Sequence, residues 1–355
     1  MGGTSKWVGF DGGEGGTISN PGVAYVQTNG NDSTAQLGNP AKPYLTGNAG
    51  YTASAAANGG TKASLHFGVG AFTFNNWGNS VPVFVSGEGV SATTLDITRF
   101  GTTGVAGANG AAATTLDGET VNTPATDGGT GGNGGATPIL RLSSDYSILV
   151  TGQVSGGIGG VGGFGGSSIT LTDYSDPENP LPYEAGSGNG GNGGSTGRSE
   201  VYIDRCVIST LILGNNGGGA GGAAGGEDTI PGNQGFYYGS ATAHQLRDCI
   251  QVSGYLNIYQ SPKVLSSRII SGGLYSTTGC IVEDSVFKVS LGVGDTGSFT
   301  GGFILRNCNI EYLEYDFIVD QFQPVIEFCR VGTTLDVNLS VATILSSRVD
   351  GVFTA

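Results

Sequence analysis

Basic residues are scarce in this chain, as are histidine, methionine and tryptophan. Lysine and arginine number 14 against 28 aspartates and glutamates, a net charge of −14 over 355 residues. That balance argues against a nucleic-acid partner, because phosphates select surfaces rich in Lys and Arg. It suits solubility or cation binding and requires neither. The two histidines, His66 and His244, are far apart, and no His/Cys cluster has zinc spacing. Neither a metal nor a cofactor is therefore expected. Five cysteines in a chain this long make no disulfide framework. No apolar run reaches the roughly 18 residues that span a bilayer, so no membrane insertion is expected. The stretch Met1-Gly2-Gly3-Thr4-Ser5-Lys6-Trp7 lacks the charged and apolar regions of a secretory signal. The expectation is a protein made in the cytoplasm that later joins a larger particle.

Glycine is what the chain has in excess: 68 residues, about a fifth, against a usual share of about 7%. Four tracts of mostly Gly-Gly-X start at 128, 156, 190 and 217, separated by 28, 34 and 27 residues. Gly101, Gly104, Gly107 and Gly110 also recur every third residue. A Gly-Gly-X segment can adopt an extended left-handed helix of three residues per turn with no internal hydrogen bonds. Its N–H and C=O groups point sideways and can be satisfied by neighbouring rods. Glycine is needed where rods touch, since a Cβ would hold them apart. X then lines one edge of each rod. It is Ile158, Val161 and Phe164 in the second tract, Thr130 and Asn133 in the first, and Asn192 in the third. These identities predict an apolar edge turned inward for the second tract and water-facing edges for the others. Disordered low-complexity loops are the competing reading.

The chain divides by composition into four parts. Residues 1–24 read as an N-terminal arm or linker, and 25–100 as a cap and first coils of a solenoid. Residues 101–240 read as coils with glycine-rich excursions, and 241–355 as regular coils. Short β-branched strand candidates lie between the tracts at 139–142, 147–151, 168–172, 200–203 and 207–213. From about 200 onward a second repeat emerges, of the form apolar-x-x-small-x-apolar. Its small residue is Cys206, Cys249, Ser267, Ser285, Cys308, Cys329 and Ser347, at spacings of 43, 18, 18, 23, 21 and 18. Most of these intervals are close to one coil of a β-solenoid. An inward apolar residue ends one strand, two residues turn a corner, and Cys or Ser points inward as the next strand starts. Gln251 breaks the pattern in the second unit, and Cys280 alone of the cysteines falls outside the column.

Between 25 and 100 stand Tyr25-Val26, Gly30-Asn31-Asp32-Ser33, a turn Gly38-Asn39-Pro40-Ala41-Lys42-Pro43-Tyr44 and a helix candidate at Ala53–Ala57. Val83-Phe84-Val85-Ser86-Gly87-Glu88-Gly89 and Thr93-Thr94-Leu95 follow. This order resembles the opening of right-handed parallel β-helix proteins of the pectate-lyase-like class. The glycine tracts resemble the polyglycine-helix tips of some bacteriophage tail-fibre adhesins. Together the resemblances imply an all-β chain: a right-handed parallel β-helix solenoid with laterally packed polyglycine-II-type glycine-rich rods.

Chemistry is sparse. Asp204, Asp248, Glu283, Asp284, Glu311, Glu314, Asp316, Asp320 and Glu327 are carboxylates of the kind that β-helix enzymes pair for glycan cleavage. Several fall at one corner, where Asp suits the turn itself. Candidate ligand-binding residues are Tyr237, Tyr238, Tyr312, Tyr315, Asp316 and Asp320; no catalytic residue is assigned. The expected function is a non-enzymatic structural or adhesive virion component, a phage tail fibre or tailspike-like protein that binds a host surface. Its expected partners are other virion or fibre subunits and a host polysaccharide or protein, with a homo-oligomer, by resemblance a trimer. The alternatives are a β-helix polysaccharide lyase or hydrolase, and a cell-surface filament subunit or ice-binding protein.

Overall fold

A computed structural model describes residues 22–77, 81–115, 121–173, 181–185, 187–214, 219–225, 230–233, 243–259, 261–276, 280–295, 303–316, 325–336, 343–350 and 352–354. Within them the chain passes back and forth between two long parallel sheets. The first contains, in spatial and chain order, Val23–Val26, Ala63–Phe67, Val83–Gly87, Leu140–Ser144, Val201–Asp204, Ala243–Arg247, Ser261–Leu265, Cys280–Glu283, Phe303–Arg306, Val325–Glu327 and Thr343–Leu345. The second is built from intervening strands, among them Thr93–Asp96, Leu149–Ser155, Val207–Leu213, Arg268–Ser276, Val286–Asp295, Asn309–Asp316 and Arg330–Asp336. An all-β chain that alternates between two parallel sheets in this way is consistent with a β-helix solenoid.

The apolar positions of the sequence repeat stack in register. Ile203 pairs with Leu246, then Val264, Val282, Leu305, Ile326 and Ile344 along the first sheet. All but the terminal Ile344 are almost fully buried. In the second sheet Ile269, Phe287, Ile310 and Val331 form the matching file. Each such side chain contributes about 1.5–3 kcal/mol by leaving water. Gln251, the exception, is buried too. Its Nε2 donates to the carbonyls of Ser253 (3.4 Å) and Gly254 (3.2 Å), and its Oε1 accepts from Ile270 N–H at 3.0 Å.

The corner between the two files has one construction, repeated. The residue before each small one adopts positive φ: Arg205, Asp248, Ser266, Asp284, Asn307, Phe328 and Ser346 lie between 48° and 54°. The small side chain then donates back to the carbonyl two residues earlier. Cys206 Sγ does so to Asp204 at 3.3 Å, Cys308 Sγ to Arg306 at 3.2 Å, and Ser285 Oγ to Glu283 at 2.7 Å. Serine also links neighbouring corners, since Cys249 N–H donates to Ser267 Oγ and Ser267 N–H to Ser285 Oγ, both at 3.1 Å. Cys280 lies on a strand of the first sheet, opposite Phe303, and is buried.

The helix is longer than the alanine run suggested: it spans Gly47–Ala57. Thr46 caps it, accepting from Ala49 N–H at 3.2 Å. Asp32 holds the approach, its Oδ1 accepting from Leu45 N–H (2.7 Å) and Thr46 N–H (3.0 Å). Gly50 allows the helix to settle on Ala24 and Val26, whose methyl groups a Cβ there would press at 3.1 and 3.2 Å.

Candidate functional site

Hydrogen bonds with a period of three residues join six glycine-rich segments. Gly104, Gly107 and Gly110 donate to the carbonyls of Ile158, Val161 and Phe164 at 2.7–2.8 Å, so residues 101–113 and 155–167 run parallel. Gly162 donates likewise to Ala220, extending that row to 219–225. A second parallel row joins 128–137 to 189–198 through Gly128 to Asn189, Gly131 to Asn192 and Gly134 to Ser195, each at 2.8 Å. Gly190 and Gly193 continue it to Ile230 and Asn233. Between the rows the direction reverses: Gly157, Gly160 and Gly163 donate to Gly135, Gly132 and Gly129. Gly162, the first glycine of its Gly-Gly-X, thus bonds within its row, whereas the second glycines Gly157, Gly160 and Gly163 bond across to the other row.

Close approach explains both glycines. A Cβ on Gly160 would overlap Val105 O, and one on Gly159 would overlap Gly194 O. The X positions point elsewhere. Ile158, Val161 and Phe164 are 47%, 51% and 59% exposed, while Gly156, Gly157, Gly159, Gly160, Gly162 and Gly163 are buried. The expected inward apolar edge of this tract is therefore corrected to an outward one. The inside of the array has room only for backbone, and a side chain of any polarity is expelled from it.

The other row carries polar X residues that stitch it together. Asp127 Oδ1 accepts from Asn189 N–H at 2.7 Å, and Asn189 Oδ1 accepts in turn from Ile230 N–H at 3.1 Å. Asn133 and Asn192 accept from Ser195 and Asn233, both at 2.9 Å. Thr130, Asn133 and Asn192 are exposed, as their identity suggested. One face is thus amide-rich, and the opposite row presents Ile158, Val161 and Phe164.

Described residues line two surface grooves outside the array. One of about 680 Å³ is lined by Asn48, Asn75, Asn76, Thr98, Arg99 and Phe100, next to where residues 101–113 leave the sheet. Arg99 lies over the Trp77 ring at 4.8 Å and donates to Trp77 O at 2.8 Å. Partial burial lowers its pKa, against a smaller opposing effect of Tyr51; the guanidinium stays charged. The second groove, about 340 Å³, lies at the corner around Asp284, Asn307, Phe328 and Arg330. Its polar groups pair with one another or with neighbours: Asn307 Nδ2 donates to Asp284 Oδ1 at 2.7 Å, and Arg330 Nε to Asp350 Oδ2 at 2.6 Å.

His66 joins a serine and a carboxylate. Its Nδ1 is 3.0 Å from Ser86 Oγ and its Nε2 3.0 Å from Glu88 Oε1. The serine is 7% exposed. The two N–H groups after it are already used, Gly87 donating to Ser147 Oγ (2.8 Å) and Glu88 to Thr93 Oγ1 (3.0 Å). Neither N–H is therefore free to serve an oxyanion, and the trio links the neighbouring strands Ala63–Phe67 and Val83–Gly87. His244 is buried, with Ser199 Oγ 3.5 Å from Nε2. Gly193-Gly194-Ser195-Thr196-Gly197 has the Gly-x-Ser-x-Gly spelling of a nucleophile elbow. It lies in an extended glycine segment, where Ser195 N–H is held by Asn133.

Of the aromatic and acidic candidates, Tyr312, Tyr315 and Asp316 lie on the strand Asn309–Asp316, opposite Thr334, Val293 and Gly294. Tyr237, Tyr238 and Asp320 fall outside the described residues. The corner carboxylates serve the corner: Asp248 and Asp284 take positive φ. Asp204 pairs with Arg247 at 2.8 Å and Arg205 at 3.2 Å. Glu283 and Glu327 share Arg306. The Asn48–Phe100 groove was not legible in the sequence, because its residues come from three separated segments; the exposed Phe100 beside Arg99 was the available signal. No protein family, no curated protein and no solved structure matches this chain.

Proposed function

We propose that the chain is a parallel β-helix carrying two layers of polyglycine-II-type rods. We further propose that it serves as a non-enzymatic structural or adhesive component of an extracellular assembly, a tail-fibre or tailspike-like part of a virion. The observation that carries this reading is the three-residue hydrogen-bond period that links six glycine segments in two oppositely directed rows. Such an array spends glycine on rigidity and leaves only X side chains to face outward. It suits a protein that must hold a surface in place rather than close around a substrate.

The exposed file of Ile158, Val161 and Phe164 supports a partner subunit of the same assembly, since exposed apolar patches mark interaction surfaces. The full chain is expected to form oligomers or fibres in sedimentation and negative-stain images, and Val161→Asp with Phe164→Asp to dissociate them. Thr130→Asp on the opposite face should leave assembly unchanged. A wild-type protein that stays monomeric at high concentration would overturn the assembly reading. Chain cleavage on a panel of neutral and acidic polysaccharides would overturn the non-enzymatic one.

A further inference from the structure

We infer that the groove formed by Asn48, Asn75, Asn76, Thr98, Arg99 and Phe100 is a binding site for a pyranose that carries a carboxylate. The inference deepens the adhesive reading by naming a ligand class, and it rests on residues outside the glycine array.

Three features converge in the groove. Phe100 ends the short strand Arg99–Phe100 and is 53% exposed, immediately before the first glycine segment. An exposed aromatic face suits the C–H face of a sugar ring, apolar on one side with polar groups at its rim. Next to it lies an organised patch of carboxamides. Asn48 Oδ1 accepts from the N–H groups of Asn75 (3.3 Å) and Asn76 (3.1 Å), and Asn48 Nδ2 donates to Asn75 Oδ1 at 3.1 Å. The network ties the Asn48 and Asn75 amides together and anchors the Asn76 backbone, whose side chain is exposed. The Asn76 carboxamide carries both donors and an acceptor, the complement of a hydroxyl pair, while the Asn48 and Asn75 carbonyl oxygens are already engaged within the network.

Arg99 supplies the charge. The chain carries −14 overall, yet among the described residues no carboxylate lines this groove. Among the described residues Arg99 forms no ion pair; its guanidinium is held from beneath by the Trp77 ring and the Trp77 carbonyl. Asp96, three residues earlier at the end of the preceding strand, is engaged by Thr98, whose N–H and Oγ1 donate to Asp96 Oδ1 at 2.8 and 2.6 Å. A pre-oriented, partly desolvated guanidinium with no anionic partner among the described residues favours a carboxylate, which it can meet with two parallel N–H donors. A groove of about 680 Å³ falls within the range of small-ligand sites.

The test uses the full chain and three probes in calorimetry: a hyaluronan hexasaccharide, the same oligosaccharide with its carboxyl groups reduced, and free glucuronate. The hexasaccharide is expected to bind and the carboxyl-reduced form to bind at least about tenfold more weakly, a difference of about 1.4 kcal/mol. Free glucuronate should compete with the hexasaccharide. Phe100→Ala and Asn76→Ala change exposed side chains and should keep the melting temperature while lowering affinity about tenfold. Arg99→Lys should retain weak, salt-sensitive binding. Equal binding of the reduced oligosaccharide would overturn the carboxylate assignment. Absence of binding, or binding unchanged in Phe100→Ala and Asn76→Ala, would overturn the site. Assembly of these two variants as in the wild type separates this result from the fate of the assembly reading.

Discussion

Gly160 faces Val105 so closely that the space for a Cβ is already filled by the Val105 carbonyl oxygen. The Val105 carbonyl accepts from Gly132 N–H at 2.7 Å, and the Gly132 carbonyl accepts from Gly160 N–H at 2.7 Å. Three segments therefore meet at one point with only backbone between them. Gly160→Ala is expected to cost about 1–3 kcal/mol by overpacking, whereas Thr130→Ala on the exposed edge should be neutral within about 0.5 kcal/mol. Thermal denaturation of the two variants against the parent chain checks the contrast, and equal melting temperatures would contradict the packing.

The thiols of the corner column do the work that serine does elsewhere in it. Cys308 and Ser285 both donate to the carbonyl two residues back. Cys308→Ser should therefore stay within about 1 kcal/mol of the parent, and Cys308→Leu should destabilise by about 1–3 kcal/mol because the corner has no room. Burial also pushes the Cys249 and Cys280 thiols up to about 12. At pH 8 a thiol-directed reagent should leave both unlabelled in the folded protein and modify both after unfolding. Because the folded-state values are raised, the associated stability is present below about pH 8.5 and declines as pH rises toward 12.

Acid should loosen the other side of the same corner. Burial alone would raise the Asp204 pKa, but the hydrogen bond and charge of Arg247, with Arg205, outweigh it and hold the carboxyl below its ordinary value. A depressed carboxylate contributes stability above its unfolded pKa of about 3.9, lost as pH falls through the folded value. The arginines are half exposed, so the effect is modest. The melting temperature should fall below about pH 4, and Asp204→Asn should lower it at pH 7 while flattening the acid limb. An acid limb as steep in Asp204→Asn as in the parent would remove Asp204 from the account.

Phe328 stands where the other corners place Asp, Asn, Ser or Arg. It has φ of 54° and is 62% exposed, a bulky side chain in the left-handed region with little burial to offset it. Asparagine tolerates that conformation better. Phe328→Asn is expected to stabilise by about 0.5–1 kcal/mol; a destabilised variant would mean that the ring makes contacts that outweigh its backbone cost.

Much of the fold can be read from residue order. The three-residue glycine period, the Cys/Ser spacing near 20 and the apolar positions flanking it are local patterns, imposed by sterics and by the repeat of one corner. Ile203, Leu246, Val264 and Val282 stack as their spacing predicts. The helix start was hidden because Gly47, Asn48 and Gly50 are poor helix formers; Thr46 as cap and Asp32 as its anchor, 14 residues away, select it.

Residue order left open which glycine segment meets which, and in which direction, because Gly-Gly-X segments of like composition present the same backbone groups to any neighbour. The path of the intervening strands settles that choice, and with it the outward turn of Ile158, Val161 and Phe164. The groove beside Arg99 has the same origin. Its amides come from the helix and from the segment after Gly70–Thr73, its cation and ring from the chain after Thr93–Asp96. Only the stacking of distant strands brings them within reach of one ligand, and no local period records it.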